Sequence, residues 1–471
     1  MNDNEDARFA SPMDSQPSSL QSKWLVHIEV RLKPESTARF DTIATFVRHH
    51  LEQDEQIYLP SCVGGWDSHP VLGQNVEFMK ATESTCPHRV LRVEDAVLDV
   101  HVYQPSEADA FEELSSGGRG DGDDNVAATV CDLPNHSFEG LWDSLMYPDD
   151  IKPRLLNYIY ATFLFSDANV NSNLVAWNRI VLLHGPPGTG KTSLCRALAQ
   201  KLSIRLSLRY SHAKLVEVNA HSLFSRWFSE SGKLVQKLFQ GITEMVDDED
   251  TFVVVLIDEV ESLTSARASA VAGNEPSDAI RSVNALLTQL DKLKHYKNVL
   301  IMSTSNLSSA IDSAFIDRAD VVQYVGLPPQ DAIYWIISSC LSELMRTRII
   351  KHVDIPDAKL AEDYSRTAAM KFDNPSKERE RRTAVDLWLL AAKCKEMSGR
   401  SLRRLPVLAH ARHIGMSALI SDCGEPGLDV DLWLAAMKKI VDEEVTSRST
   451  NLASDASKLP QKPTDVLGKA C

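Results

Sequence analysis

A glycine-rich segment near the middle of the chain has the spacing of a phosphate-binding loop. Residues 185–192 fit the pattern G-x-x-x-x-G-K-[ST], between an apolar run (180–183) and a helix-forming run (193–199). In such a loop, backbone N–H groups and the N-terminus of the next helix face the phosphates, while the lysine and threonine reach phosphate oxygens and Mg²⁺. A glycine-rich turn without a ligand would not explain the lysine. We therefore predict a nucleoside triphosphate site formed by Gly185, Pro186, Pro187, Gly188, Thr189, Gly190, Lys191, Thr192 and Ser193.

Two carboxylates follow the next strongly apolar run. Residues 252–257 are all apolar and are followed by Asp258 and Glu259. Such a run is typical of a strand that is covered on both faces of a parallel sheet. Asp258 at its end can bind Mg²⁺ together with Thr192, and Glu259 can polarise the water that attacks the γ-phosphate. A pair of solvated acids at a strand end is the alternative.

A third strand pattern also ends in a polar residue. Residues 298–305 form a largely apolar run that ends at Asn306. If the three strands are neighbours in one sheet, the amide of Asn306 can hydrogen-bond the γ-phosphate or the attacking water. Considered alone, an asparagine at a strand end is more often a turn residue. The three strand ends together favour the role of a nucleotide sensor.

An aromatic pair lies between the phosphate-binding segment and the segment that ends in the two carboxylates. Trp227 and Phe228 are flanked by Ser225, Arg226 and Ser229. One interpretation is a core tryptophan beside a surface phenylalanine. The other is a loop that projects into a central pore, where both rings grip an extended polypeptide regardless of its sequence.

Two arginines are candidates for contact with the γ-phosphate. Arg318 follows the third strand among acidic residues, so a local ion pair is the simple interpretation. In a ring ATPase, an arginine at this place reaches the neighbouring subunit's nucleotide, and such a residue contributes roughly 10³–10⁵ in rate. Arg400 lies in a later helical segment that could fold over the nucleotide.

The chain divides into segments of different composition. Residues 1–22 are polar and expected to be disordered, and residues 23–104 read as a small α/β domain. Residues 105–132 begin with a stretch rich in acids, glycine and serine, which predicts a flexible linker. An α/β nucleotide domain with a parallel sheet is expected over 133–328, a helical domain over 329–445 and a loose tail over 446–471.

Composition narrows the classes of partner. The 471 residues carry a net charge of −15, which disfavours broad nucleic-acid binding and favours a protein substrate. The eight cysteines form no C-x-x-C pair, so neither a zinc site nor a disulfide framework is indicated. No apolar stretch approaches the roughly 20 residues of a membrane span, and the first residues resemble no signal peptide. We expect no direct nucleic-acid partner and no membrane partner.

Four sequence blocks together carry a family resemblance. They are H-G-P-P-G-T-G-K-T-S-L-C, S-R-W-F-S-E-S-G-K-L-V, L-I-D-E-V-E-S-L and S-G-R-S-L-R-R-L-P. These blocks are similar to those of the pachytene checkpoint family of AAA+ ATPases, and the resemblance extends from about residue 133 to 445. Residues 23–103 are covered only loosely. The implied fold is an AAA+ P-loop NTPase with a helical lid, preceded by a small α/β domain that docks substrate and adaptor.

The resemblance also implies a function. Members of this family are homohexameric rings that remodel HORMA-domain proteins, with a comet-type adaptor, in spindle checkpoint disassembly and meiotic chromosome synapsis. It implies that the ring works in the nucleus and cytoplasm, at chromosomes and kinetochores. It assigns Mg-ATP to residues 185–192 and Asp258, water activation to Glu259, and sensor roles to Asn306 and Arg400. Trp227 and Phe228 correspond to the substrate-gripping pore loop.

One departure from the family pattern affects the arginine finger. The commonest AAA pattern carries two arginines near this position, whereas Asp317 occupies one of those places here. The finger role therefore depends on Arg318 alone.

Two rival functions use the same scaffold. A nucleic-acid motor or clamp loader predicts a basic pore, in contrast to the aromatic pair and the acidic net charge. A scaffold that binds ATP without hydrolysis predicts the loss of the catalytic glutamate or the arginines, but Glu259, Arg318 and Arg400 are present.

Overall fold

The structure, a computed structural model, describes residues 23–107, 112–115, 126–171, 174–220, 231–262, 278–307, 311–367, 374–415 and 427–456. These residues belong to two compact units. One contains the described residues up to Ser106 together with Ile204–Leu208, and the other contains the rest. Among the helices in these ranges, none is long and apolar enough to cross a bilayer.

The N-terminal unit is built on a four-stranded sheet with the order β3-β4-β1-β6. Strand β1 is parallel to β6 and antiparallel to β4. Val26, Ile28 and Val30 of β1 alternate onto one face, where they pack with Ile43 and Val47 of helix α1. The elements are β1 (Trp24–Leu32), α1 (Phe40–Glu52), β2 (Gln56–Tyr58), β3 (Ser61–Cys62), α2 (Pro70–Asn75), β4 (Val76–Ser84), β5 (Val90–Arg92) and β6 (Ala96–Tyr103).

The second unit contains a seven-stranded sheet with the order β13-β9-β12-β11-β10-β8-β7. The five strands from β13 to β10 are parallel, while β8 and β7 add antiparallel partners at one edge. The parallel strands are buried on both faces, which explains the unbroken apolar run of β11. The strands are β7 (Glu112–Ser115), β8 (Val126–Leu133), β9 (Ile180–His184), β10 (His212–Asn219), β11 (Thr251–Asp258), β12 (Val299–Ser305) and β13 (Val321–Tyr324).

Helices surround this sheet and continue into a separate helical core. Phe239 and Leu286, from two of the flanking helices, pack in the same core as Val255 of β11. The helices around the sheet are α3 (Leu141–Ser144), α4 (Ile151–Asp167), α5 (Lys191–Arg205), α6 (Ser231–Val246), α7 (Asp278–Leu293) and α8 (Ser313–Ile316).

The helical lid follows Pro329, where the chain leaves the sheet. Its helices bury Ile337, Leu387, Leu402 and Met437 in a core of their own. Residues 410–414 form a π-helix directly after the helix Gly399–Ala409. The lid helices are α9 (Gln330–Arg346), α10 (Ala358–Arg366), α11 (Pro375–Lys393), α12 (Gly399–Ala409) and α13 (Val430–Ala456).

Two predicted boundaries are wrong. The expected linker over 105–132 contains β7 and β8, both strands of the large sheet, so the nucleotide domain begins well before residue 133. Val130 of β8 is buried and pairs with Val216 of β10, a contact that acidic and glycine-rich neighbours concealed in the sequence. The expected loose tail begins inside α13, which extends through Ala456. The predictions for 1–22 and 457–471 lie outside the described residues.

Candidate active site

The predicted phosphate-binding loop connects β9 to α5. Gly185, Gly188 and Gly190 have φ angles of +148°, +75° and +93°, which side chains other than glycine rarely adopt. A Cβ atom on Gly185 would lie 2.2 Å from the carbonyl oxygen of Val325. Glycine is therefore required at these positions for the backbone to form the concave loop that precedes the helix.

Lys191 lies inside this loop. Its Nζ donates hydrogen bonds of 2.8 Å to the carbonyl oxygens of Gly185 and Pro186. Burial lowers the pKa of Lys191, and the carboxylates of Glu261 and Asp258 act in the opposite direction. The ammonium group is thus held at the centre of the loop, where phosphate oxygens can replace the two carbonyl groups.

The structure brings Thr192 and Asp258 together, as the sequence predicts. The Thr192 hydroxyl donates to both carboxylate oxygens of Asp258, at 3.1 and 3.2 Å. A hydroxyl at the start of the helix and a carboxylate at the end of the strand are hard oxygen donors, which suit Mg²⁺. Thr304 of β12 also donates to Asp258 and is a site residue that sequence analysis missed.

Glu259 has a constrained backbone. Its φ is +61°, although it is not glycine, and its N–H donates to the Thr304 hydroxyl at 3.4 Å. The next residue, Val260, donates its N–H to the Thr304 carbonyl oxygen at 3.0 Å. A positive φ in a residue with a long side chain is uncommon and is maintained by its surroundings. The side chain is exposed, so that water can reach the carboxylate.

Asn306 is positioned by Glu261, a second residue that sequence analysis missed. The backbone N–H and the Nδ2 of Asn306 both donate to Oε1 of Glu261, at 3.1 and 3.0 Å. The same carboxylate is the strongest of the charges that raise the pKa of Lys191. Glu261 therefore connects the predicted sensor with the phosphate-binding lysine. Its place in the block L-I-D-E-V-E-S-L was the available signal.

The lid contacts the phosphate-binding loop directly. The N–H of Arg400 donates to the carbonyl oxygen of Gly188 at 3.2 Å, which places Arg400 beside the loop as predicted. Between lid and loop lies a cavity of about 490 Å³, a volume typical of small-ligand sites. Ser193, Arg403 and Arg404 also line it.

The opposite wall of this cavity comes from the segment after α3. Leu145, Met146 and Tyr147 line it, and Arg403 donates to the carbonyl oxygen of Ser144 at 3.0 Å. Burial raises the pKa of Tyr147, so that its hydroxyl stays protonated. This apolar wall suits a nucleotide base. Sequence analysis did not assign it because the segment has no motif of its own, only apolar residues without a strand pattern.

Arg318 is engaged within its own chain. Its guanidinium forms two hydrogen bonds with Asp291, at 3.0 and 2.9 Å, and donates to the Ala314 carbonyl oxygen at 2.7 Å. These bonds to Asp291 raise the pKa of Arg318. The local ion pair considered from the sequence is therefore present, and a role at a neighbouring subunit stays a prediction. Trp227 and Phe228 lie outside the described residues, so their pore role also stays a prediction.

The phosphate-binding loop and the helical lid line one cavity. Asp258, Glu259 and Asn306 lie at the ends of the neighbouring parallel strands β11 and β12. Together these features define an AAA+ ATPase. Residues 181–327 match the family model of the ATPase family associated with various cellular activities. Residues 21–108 match that of the TRIP13 N-terminal domain, and residues 329–445 match that of the TRIP13-like AAA+ ATPase lid C-terminal domain.

Named relatives extend this similarity over most of the chain. The chain is 47% identical over 409 residues to the rice pachytene checkpoint protein 2 homolog, covering 85% of each chain. It is 43% identical over 438 residues to the human homolog, covering 90% of this chain and 94% of the relative. The solved structure of C. elegans PCH-2 matches with a TM-score of 0.65 and 31% identity, covering 89% of this chain and 99% of that one. The chain belongs to the pachytene checkpoint protein 2 (TRIP13) family of AAA+ ATPases.

Proposed function

We propose that this ATPase uses ATP hydrolysis to remodel HORMA-domain proteins as a homohexameric ring, with a comet-type adaptor. The observation that carries the proposal is the combination of the paired Thr192 and Asp258 beside Lys191 with an N-terminal domain that matches the TRIP13 family model. Arg400 lines the cavity beside the phosphate-binding loop, and Glu261 holds Asn306 by two hydrogen bonds. A scaffold that only bound ATP would not need a carboxylate at position 259, whereas Glu259 is present and exposed.

The contacts of each site residue fit a particular part in ATP hydrolysis. The Glu259 carboxylate accepts a proton from the water that attacks the γ-phosphorus, while Asn306, held by Glu261, orients that water or a γ-phosphate oxygen. Lys191 offsets the phosphate charge. Thr192 and Asp258 would hold Mg²⁺, which supplies further positive charge to the phosphates when bound.

The hydrogen bond between Arg400 and Gly188 can couple ATP hydrolysis to movement of the lid. Because the lid binds the backbone of the phosphate-binding loop, the loss of the γ-phosphate can alter the lid position. In a ring, such changes would move the loop that carries Trp227 and Phe228 and pull on a substrate. We further propose work in the nucleus and cytoplasm, at chromosomes and kinetochores, in spindle checkpoint disassembly and meiotic synapsis and recombination control.

The test compares stimulation of ATP turnover by two classes of substrate. A HORMA-domain protein with its adaptor is expected to raise the ATPase rate of the full chain, and duplex DNA is expected to leave it unchanged. Stimulation by DNA alone would favour the nucleic-acid motor instead. A pull-down with the Glu259→Gln variant and ATP would then identify the trapped substrate.

A further inference from the structure

Two histidines and an aspartate meet on the N-terminal sheet, in a unit separate from the nucleotide site. Strands β1 and β6 are parallel neighbours, in which His27 is opposite Asp99 and Glu29 is opposite His101. Side chains alternate along a strand, so His27, Asp99 and His101 share one face. The other face carries Val26, Ile28 and Val100 in the apolar core. The polar cluster is thus built into the sheet and does not belong to a loop.

The three ligand atoms form a nearly equilateral triangle. His27 Nδ1 lies 3.2 Å from His101 Nε2, and each nitrogen lies 3.1 Å from Asp99 Oδ2. Around a tetrahedral zinc ion with bonds of about 2.0–2.1 Å, neighbouring ligand atoms are about 3.3–3.4 Å apart. A shift of a few tenths of an ångström would therefore seat the ion. Within the part of the chain that the structure describes, this is the one group of three such ligands.

We propose that His27, Asp99 and His101 bind a divalent transition ion, with zinc the favoured species. Two imidazole nitrogens, one carboxylate oxygen and a position for water are a common zinc ligand set. The Asp99 side chain is 35% exposed, which gives an ion and its water access, whereas the His101 side chain is 3% exposed and firmly placed. The ion would join β1 to β6 and stabilise the N-terminal unit.

The surrounding charges suit a cation. Asp99 supplies the one carboxylate of the cluster, and hydrogen bonds with the two imidazoles hold its pKa far below its usual range. Burial lowers the pKa of His27, and the positive charge of Arg205, which belongs to the same unit, lowers it further. Arg205 forms ion pairs with Glu29 and Glu83, which offset its charge.

The test is metal titration of the nucleotide-free, full-length protein. Co²⁺ is expected to bind with one ion per chain and to give the intense visible absorption of a four-coordinate site, which Zn²⁺ then abolishes. His27→Ala and Asp99→Asn are expected to weaken Zn²⁺ binding by roughly 100-fold or more. His49→Ala, an exposed histidine on α1 of the same unit, is the matched control and should bind as the wild type does.

The melting temperature separates this site from a hydrogen-bonded triad without metal. Zn²⁺ is expected to raise the melting temperature of the wild type and of His49→Ala but not that of Asp99→Asn, whose side chain keeps its shape. If His27→Ala does not fold, Asp99→Asn decides. The proposal is overturned if no ion binds, or if wild type and Asp99→Asn bind Zn²⁺ equally, as they would at Asp258 of the nucleotide site.

Discussion

Three carboxylates near the end of β11 have different partners and therefore different roles. Asp258 accepts hydrogen bonds from Thr192 and Thr304, which fits a metal ligand. Glu261 accepts both bonds from Asn306 and acts electrostatically on Lys191. Glu259 has an exposed side chain on a constrained backbone. The three carboxylates thus differ in their contacts, which is the basis of the different roles that we propose for them in hydrolysis.

Glu259→Gln is expected to bind ATP with nearly unchanged affinity and to lose turnover. The amide keeps the size of the side chain but cannot accept the proton of the attacking water, so we expect the rate to fall by about 10²–10⁴-fold. Steady-state ATPase activity and the dissociation constant of ATP are the measurements. Lys191→Ala should instead weaken ATP binding, and Glu249→Gln, an exposed acid elsewhere, is the control. A Glu259→Gln rate within a few-fold of the wild type contradicts the assignment.

Glu261→Ala is expected to lower kcat because it releases Asn306. Misplacing a positioning group costs up to roughly 10²-fold in rate. Glu261→Gln keeps an oxygen acceptor for Asn306 and should lose much less activity. Single-turnover hydrolysis with saturating ATP separates this effect from nucleotide affinity. Equal losses in both variants would show that the charge of Glu261, and not its hydrogen bonds to Asn306, matters.

At the scale of elements, the phosphate-binding loop and the lid are in direct contact, through which we propose that hydrolysis is transmitted. Gly188 has a φ of +75°, and a Cβ atom there would lie 2.8 Å from the Ser398 hydroxyl and 3.2 Å from Arg400 Cβ. The lid therefore packs against the loop so closely that a single methyl group would separate them.

Gly188→Ala is expected to weaken ATP binding and to disturb the lid. The backbone conformation alone costs about 1–2 kcal/mol for a residue with a side chain, and the contact with Ser398 must also open. Gly399→Ala is the matched control, because its Cβ would meet only the Gly188 carbonyl oxygen at an ordinary 3.5 Å and its φ is not positive. Nucleotide affinity and thermal melting with ATP are the measurements. A Gly188→Ala protein that matches Gly399→Ala in both would contradict the close packing.

Some of these elements could be predicted from the sequence, and others could not. Strands 251–258 and 299–305 were recognisable because a buried parallel strand is apolar throughout, and their polar ends marked Asp258, Glu259 and Asn306. Thr304 and Tyr147 were not recognisable, because their roles depend on contacts with residues far away in the chain, and for Glu261 the only signal was its place in the block L-I-D-E-V-E-S-L. Strand β8 was hidden because its pairing with β10 outweighs the composition of the acidic segment before it.

At the scale of the whole molecule, a variant of Arg318 tests whether one subunit contributes to the nucleotide site of its neighbour. If it reaches the nucleotide of a neighbouring subunit, Arg318→Ala should lower ATPase activity by about 10³-fold. Asp291→Ala removes only the local ion pair, which contributes about 1 kcal/mol at a partly exposed position, and should stay within a few-fold of the wild type.

A mixture of two inactive variants tests whether Arg318 acts on the neighbouring subunit. Subunits with Arg318→Ala keep Glu259, and subunits with Glu259→Gln keep Arg318, so mixed rings should regain activity at some interfaces. ATPase activity as a function of the mixing ratio is the measurement. The absence of any recovery, with parallel losses in Arg318→Ala and Asp291→Ala, would reduce Arg318 to a structural ion pair.

In the proposed function, ATP hydrolysis drives remodelling of a HORMA-domain protein through Trp227. The most direct measurement follows conversion of that protein, with adaptor and ATP, by wild type and Trp227→Ala, together with the melting temperature and basal ATPase of both. We expect conversion by the wild type only, at similar melting temperatures and ATPase rates. If Trp227 were a core residue, its removal would cost about 3–5 kcal/mol and reduce stability and ATPase together. That result, or a wild type that converts nothing, would contradict the proposed function.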